Sequence, residues 1–302
     1  MTLDARVLYA HETGNFGALA AHDGQLYAGC LNTGRVLVFD LATGRERLVF
    51  TDAPGVTSLA AGPDRALYVG NAWRKHIVRC ALGTGACETL ATGFAQCVHL
   101  VASGEALYTG GGVGASHAVY RTDLRVKKKT SLGGKLGPVI SLTDDPRGLL
   151  VTTNSTRTQP GALWRLAPGA DTLTRLADGF RFCRRALWGP DGAVYFAAEG
   201  APEDPSLSAV FRLVEGEARA VYARCFDPRG LAFFGARLVG VGFDGSVFEV
   251  SPGQPARALG TLGVSIQRAV QVGATLYVSA YAPRRHDKAL IFALDLSAAT
   301  GS

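Results

Sequence analysis

The segment Ser58–Gly70, SLAAGPDRALYVG, decides how this chain folds. A short apolar run, Ser58–Ala61, meets a Gly-Pro-Asp-Arg turn and returns as a second run ending in Leu67-Tyr68-Val69-Gly70. Gly, Pro and Asp are the residues that tight turns require, and short runs rich in aromatic and branched side chains are strand signals. The phrase recurs as GALAAHDGQLYAG around Tyr27, HLVASGEALYTG around Tyr108 and SLTDDPRGLLVTT around Leu150. It returns again as ALWGPDGAVYFAA around Tyr195, GLAFFGARLVGVG around Val239 and AVQVGATLYVSA around Tyr277. The steps between these markers are 41, 40, 42, 45, 44 and 38 residues. That makes seven copies.

Each copy carries a third strand, as in RVLVFDL (Arg35–Leu41), HIVRCAL (His76–Leu82), SVFEVS (Ser246–Ser251) and ALIFAL (Ala289–Leu294). A fourth follows after a Gly- or Pro-containing turn, as in Arg45–Phe50, Ala86–Leu90 and Ala256–Leu259. Four antiparallel strands repeating every forty or so residues describe a β-propeller blade. The seventh copy stops after its third strand, while Ala5–Tyr9 has the pattern of a fourth. The expectation is an all-β, seven-bladed β-propeller spanning 1–302 as one domain, closed by N-terminal residues 5–10 as the outer strand of blade seven. Closure of this kind removes open sheet edges.

Composition agrees and narrows the function. The chain has 302 residues, 47% of them hydrophobic, and 38 glycines, which suits a fold made of many turns. No apolar stretch reaches the length of a membrane-spanning helix. Met1–Arg6 lacks the pattern of a secretory signal, so a cytoplasmic location is expected. The net charge of +6 comes from 31 basic and 25 acidic residues; only six of the 31 are lysines, leaving twenty-five arginines. No basic run is interleaved with aromatics, so nucleic acid is not an expected partner, and neither is a membrane. Lys127–Lys129 falls at the outer strand of blade three, where lysines discourage edge pairing. Six cysteines form no C-x-x-C. Most read as buried apolar residues; Cys80 and Cys87 face across a hairpin, where a disulfide is geometrically open and a reduced pair is the expectation for cytoplasm.

The two faces of such a disc are unequal. First-to-second and third-to-fourth turns are short and regular: HDGQ, GPDR, GPDG, LATG. The second-to-third loops and blade connections differ: GCLNTG, GNAWRK, TNSTRTQPG, AEGAPEDPSLS, YAPRRHDK. Variable loops on a regular scaffold are where binding residues are usually mounted. The candidate site therefore lies on this loop face, around the mouth of the central channel. Candidate acid–base residues are Glu199 and Asp227, with His11 (beside Glu12) and His286 (beside Asp287 in the long loop of blade seven) as a possible converging pair. Candidate substrate-binding residues are Asn71, Trp73, Gln96, Asn154, Phe182, Arg184, Phe226, Gln267, Arg268 and Tyr281, a mixture of aromatic and polar groups suited to a small-molecule pocket. No tight ligand spacing supports a metal, and no cofactor is expected.

The phrases GPDGAVYFAAEG (Gly189–Gly200) and CFDPRGLAF (Cys225–Phe233) resemble the repeats of the streptogramin lyase, SMP-30/gluconolactonase and NHL propeller group. That resemblance implies a propeller with lyase, lactonase or cyclase activity on a small molecule. Streptogramin lyases carry a W-F-T-E strand ending, which only Tyr195–Glu199 approaches here. The SMP-30 group binds a metal through an N-terminal Glu with channel-lining Asn and Asp, usually on six blades. Glu12, Asn154 and Asp227 share those residue types without the surrounding motifs. The expected function is carboxylate acid–base chemistry on a partly aromatic or apolar, anionic molecule. The alternative is a non-catalytic scaffold binding a ligand or a protein partner. A scaffold should expose an apolar patch on its loop face, and an enzyme should hold a carboxylate of raised pKa in a polar cavity.

Overall fold

A computed structural model describes residues 5–11, 14–94, 97, 99–113, 116–223, 227–251, 254–282 and 285–296. They form seven four-stranded antiparallel sheets, and six of the sheets follow chain order from the inner strand outward. The seventh takes its outer strand from the N-terminus: Ala5–His11 pairs with Arg285–Asp295, in register from Ala5 opposite Leu294 to His11 opposite Ala289. The chain is a seven-bladed β-propeller. Among the described residues no helix is long and apolar enough to cross a membrane. The third strand of blade seven begins at Arg285 rather than Ala289, so His286 lies in a strand and not in a loop. After a register slip beyond Tyr281 opposite Ala289, backbone pairing resumes with Ala282 opposite Arg285.

Second strands are buried on both faces because each sheet is sandwiched between neighbouring blades, as in Ala66–Asn71 and Leu149–Thr153. Outer strands such as Glu46–Thr51 stand largely in solvent. The recurring phrase has a local cause. In blade two Asp64 accepts hydrogen bonds from Tyr68 Oη (3.0 Å) and from Arg79 Nε (2.9 Å) and Nη2 (2.7 Å). In blade five Asp191 accepts the same set from Tyr195 (3.0 Å) and from Arg212 (3.0 and 2.7 Å). The turn aspartate thus ties the second strand to the third. A Cβ on Gly62 or Gly189 would stand 2.5 Å from that carboxylate and 2.6 Å from the tyrosine ring, so the phrase needs glycine there. Burial and Asp64 together push the Tyr68 phenol up to about 12.

Two expectations are corrected. The lysine run lies mainly in a turn, with Lys127 at φ 54° and the outer strand starting at Lys129. Lys127 Nζ pairs with Glu88 Oε2 of blade two at 2.7 Å, and Lys129 Nζ sits 4.5 Å from the centre of the Phe94 ring. These lysines join two blades more than they guard an edge. Cys80 and Cys87 are disulfide-bonded; they are direct cross-strand partners with Cα atoms 4.1 Å apart, so no backbone movement separates them from bonding. The free cysteines Cys30, Cys97 and Cys183 are buried, as expected of apolar thiols.

Candidate functional site

The inner strands are not regular. Register slips between Phe16 and Ala18, Val56 and Ser58, Val139 and Ser141, Cys183 and Ala186, Pro228 and Gly230, and Ile266 and Arg268. Such bulges insert an unpaired residue and re-aim side chains. In a regular strand Arg184 and Arg185 would point to opposite faces. On the bulge of blade five both line the same channel cavity.

The bulges also define a layer. Ala18, Ser58, His99, Ser141, Gly230 and Arg268 each pair with the residue two places after its blade's marker, and Arg184–Arg185 fill that level in blade five. Small residues from four blades leave the channel to His99, Arg185 and Arg268.

Toward the loop face lies a charged cluster shared by blades five and six. Arg184 Nη2 donates to Glu199 Oε1 at 3.3 Å, and its Nε stands 2.9 Å from Asp227 Oδ1 as an ion pair that is not aligned for hydrogen bonding. Arg229 donates to the other oxygen of Asp227. Asp227 is buried and held at φ 41°, in the left-handed region that costs a non-glycine residue strain. Burial raises the Glu199 pKa; Arg184 pulls it back down, and Asp227 pushes it up again by charge and by a hydrogen bond. Desolvation and the second carboxylate outweigh the arginine. Phe182 packs beneath the Arg181 and Arg184 guanidiniums (4.9 and 5.1 Å), and Phe243 beneath that of Arg229 (5.0 Å).

The structure brings together only some of the sequence candidates. Glu199, Asp227, Arg184 and Phe182 form the cluster; Arg268 lies in the layer just inside it, with Gln267 on the preceding bulge. Tyr281 packs edge-on against Phe243 at 6.3 Å, joining blades six and seven. Asn154 bridges to the backbone of Phe182, with a buried Oδ1 that has no hydrogen-bond partner. Asn71 stands apart. It donates to Asp52 (3.0 Å) and the Ala53 carbonyl (2.8 Å) and accepts from the Trp73 and Arg74 amides, so it organises its own loop. His76 adds a 2.6 Å contact to Asp52. Trp73 is 61% exposed. His11 and His286 belong to strands, but their side chains, like residues Gln96 and Phe226 altogether, lie outside the described residues. No group of three or more His, Cys, Asp or Glu could hold a metal ion among the described residues.

Sequence reading missed Arg185, Arg229 and Ser141, and it gave His99 no role. The signal was present, since each sits at or beside the first residue of its blade's recurring phrase. Only the bulges reveal that these positions share a level.

The sequence matches no protein-family model and none of the curated proteins. Solved structures do match. A catalytically inactive virginiamycin B lyase from Staphylococcus aureus with quinupristin superposes with a TM-score of 0.70 at 13% identity, covering 97% of this chain and 99% of that one. The WD40 propeller domain of Doa1 gives 0.66 at 13% identity, with 95% and 96% covered. YCF48 bound to a D1 peptide gives 0.70 at 12% identity, with 97% of each covered. Similarity at this identity reaches the fold, which lyases and peptide-binding propellers share: the chain is similar to both as a seven-bladed propeller.

Proposed function

We propose that the protein is an enzyme acting on a small molecule at the loop-face mouth of its channel, by lyase, cyclase or lactone-opening chemistry. The observation that carries this reading is Glu199: a carboxyl of raised pKa at the channel mouth, paired with the same Arg184 guanidinium that pairs with a second carboxyl, Asp227. Paired carboxyls of this kind separate into a proton donor and an ionised partner. Protonated Glu199 gives its proton to the leaving or developing oxygen, and Asp227 is the ionised partner that takes a proton from carbon or water. Arg184, between them, stabilises the oxyanion. Phe182, Phe243 and Tyr281 are the apolar surface that excludes water. The chemistry draws on the chain's own acids and needs no organic cofactor.

The likeness to a virginiamycin B lyase structure supports the choice of reaction class by analogy of fold. The test is turnover of a panel of lactones and cyclic esters, read by mass spectrometry, with Glu199→Gln and Asp227→Asn. Each substitution is expected to lower kcat by about 100-fold or more. Full activity in both variants on an identified substrate would remove the acid pair from the mechanism.

The scaffold alternative has one observation in its favour: exposed Trp73 stands on the loop face of a fold that also carries a peptide in YCF48. The other large exposed hydrophobics among the described residues, Val7, Leu48 and Val126, lie on outer strands or a turn and form no patch with it. A single tryptophan is a small platform.

A further inference from the structure

Arg185 from blade five, Arg268 from blade seven, His99 from blade three and Ser141 from blade four converge at one level of the channel. With Arg184 and Arg229 they line a cavity of about 30 Å3. Arg184 and Arg229 share Asp227, whereas Arg185 and Arg268 have no such counter-charge among the described residues. The charged groups acting on Arg268 are Arg229, Arg185 and Arg184, and burial with these neighbours lowers its pKa to about 10. Among the described residues neither Arg185 nor Arg268 has a carboxylate partner. Burial and the same arginines hold His99 well below its ordinary value, hence as a neutral imidazole. Arg185 Nε, Arg229 Nε and the Ser141 hydroxyl are buried and find no hydrogen-bond partner among the described residues. Buried donors left unmet in this way are uncommon in folded proteins and call for an explanation.

The collar opens on its inner side into a larger space. His99, Arg185, Arg268 and Ala269 also bound a chamber of about 440 Å3 that runs toward the turn face. Its lining mixes small and apolar residues such as Ala18, Ala20 and Val270 with the polar Thr57, Ser58 and Thr143, and polar atoms make up the larger part of its surface. Asp144, just past the end of its inner strand, is the one carboxylate lining it among the described residues. The sizes decide what fits where. A water needs roughly 10–15 Å3 of such space, so the collar holds a headgroup of a few atoms and no ring. The chamber falls within the span of small-ligand pockets, about 300–1,000 Å3.

We propose that the turn-face half of the channel binds a small organic oxyanion, with its carboxylate or phosphate on Arg185, Arg268 and Ser141 and its uncharged body in the chamber. Guanidinium forks match the oxygens of either headgroup. His99 supplies one further N–H, and Asp144 at the outer end repels the anion toward the collar. The ligand contacts named here do not include Glu199 or Asp227, although Arg184 and Arg229 form a wall common to the collar and the acid cluster.

The test is calorimetric titration of the full chain with phenyl phosphate, benzoate, inorganic phosphate and chloride. At least one aryl anion is expected to bind saturably with one site, about tenfold or more tighter than inorganic phosphate. Arg185→Gln and Arg268→Gln are each expected to weaken it by about tenfold or more, as loss of a charge-assisted hydrogen bond does. The acid pair is read by kcat and the collar by anion affinity, so the two readings stand or fall separately. Absence of saturable binding overturns the site. Equal affinity for aryl and inorganic phosphate overturns the organic ligand, and unchanged affinity in the variants overturns the collar. Circular dichroism checks the fold of each variant. Arg268→Lys and Ser141→Ala, which change volume less, are judged by the same criterion where a glutamine variant fails to fold.

Discussion

The two halves of the channel hold the same residue type in opposite circumstances. At the mouth Arg184 and Arg229 share Asp227, and Arg184 also reaches Glu199. One layer further in, Arg185 and Arg268 face each other, His99 and one another's positive field. An arginine beside a carboxylate stabilises the fold without a ligand and tunes that carboxylate for proton work. An arginine without one is a standing electrostatic cost that only a ligand offsets. The mouth is therefore complete in the free protein, and the collar is not.

The largest test of that difference is Asp227→Ala. It leaves two half-buried guanidiniums without their shared counter-charge, Arg184 keeping Glu199, and a loss of about 1–3 kcal/mol in unfolding free energy is expected by denaturant titration. Arg268→Gln should act in the other direction. Removing a buried charge surrounded by like charges is expected to raise Tm by about 2 °C, as about 1 kcal/mol does at this chain length. A fall of similar size would show that the collar arginines are paired after all. Anion binding supplies a third contrast. Occupation of the collar by phenyl phosphate lowers the positive potential at His99, so its imidazole pKa should rise in a histidine NMR titration, whereas an unshifted titration would separate His99 from the ligand.

The smallest effect belongs to Glu199. Its folded pKa is raised above the unfolded value, so the stability it contributes is complete below the ordinary carboxyl range and lost as pH rises through the raised value. The Tm of the wild type should decline relative to Glu199→Gln across that window, starting near the ordinary glutamate value of 4.5. Parallel curves would mean that Glu199 titrates as a free carboxyl, and the acid–base reading would lose its proton donor.

The seven-fold phrase made the fold legible because its residues answer to local rules. Gly62 and Gly189 are needed beside Asp64–Tyr68 and Asp191–Tyr195, and these contacts span only a few residues. The closure by Ala5–His11 was legible for a related reason: a four-strand unit with one strand missing at one end must find it at the other. The site was legible in part. Glu199, Asp227 and Arg184 could be placed near one mouth because each stands at a strand end whose face the topology dictates. Asn71 has the same position in its own blade, yet its amide is consumed by Asp52, Ala53 and its own loop, which no residue count reveals.

By itself, then, the sequence determined the number of blades, the closure and the face on which the acids stand, since periodicity and turn chemistry are local. Only the tertiary structure decided which side chains meet across the channel. Seven inner strands from distant parts of the chain contribute one layer, and in six of them a bulge sets which residue enters it. Arg185 differs from a surface arginine solely through neighbours between about 40 and 90 residues away in sequence, His99, Ser141 and Arg268. Burial and charge balance are sums over such neighbours, and no stretch of the chain contains them.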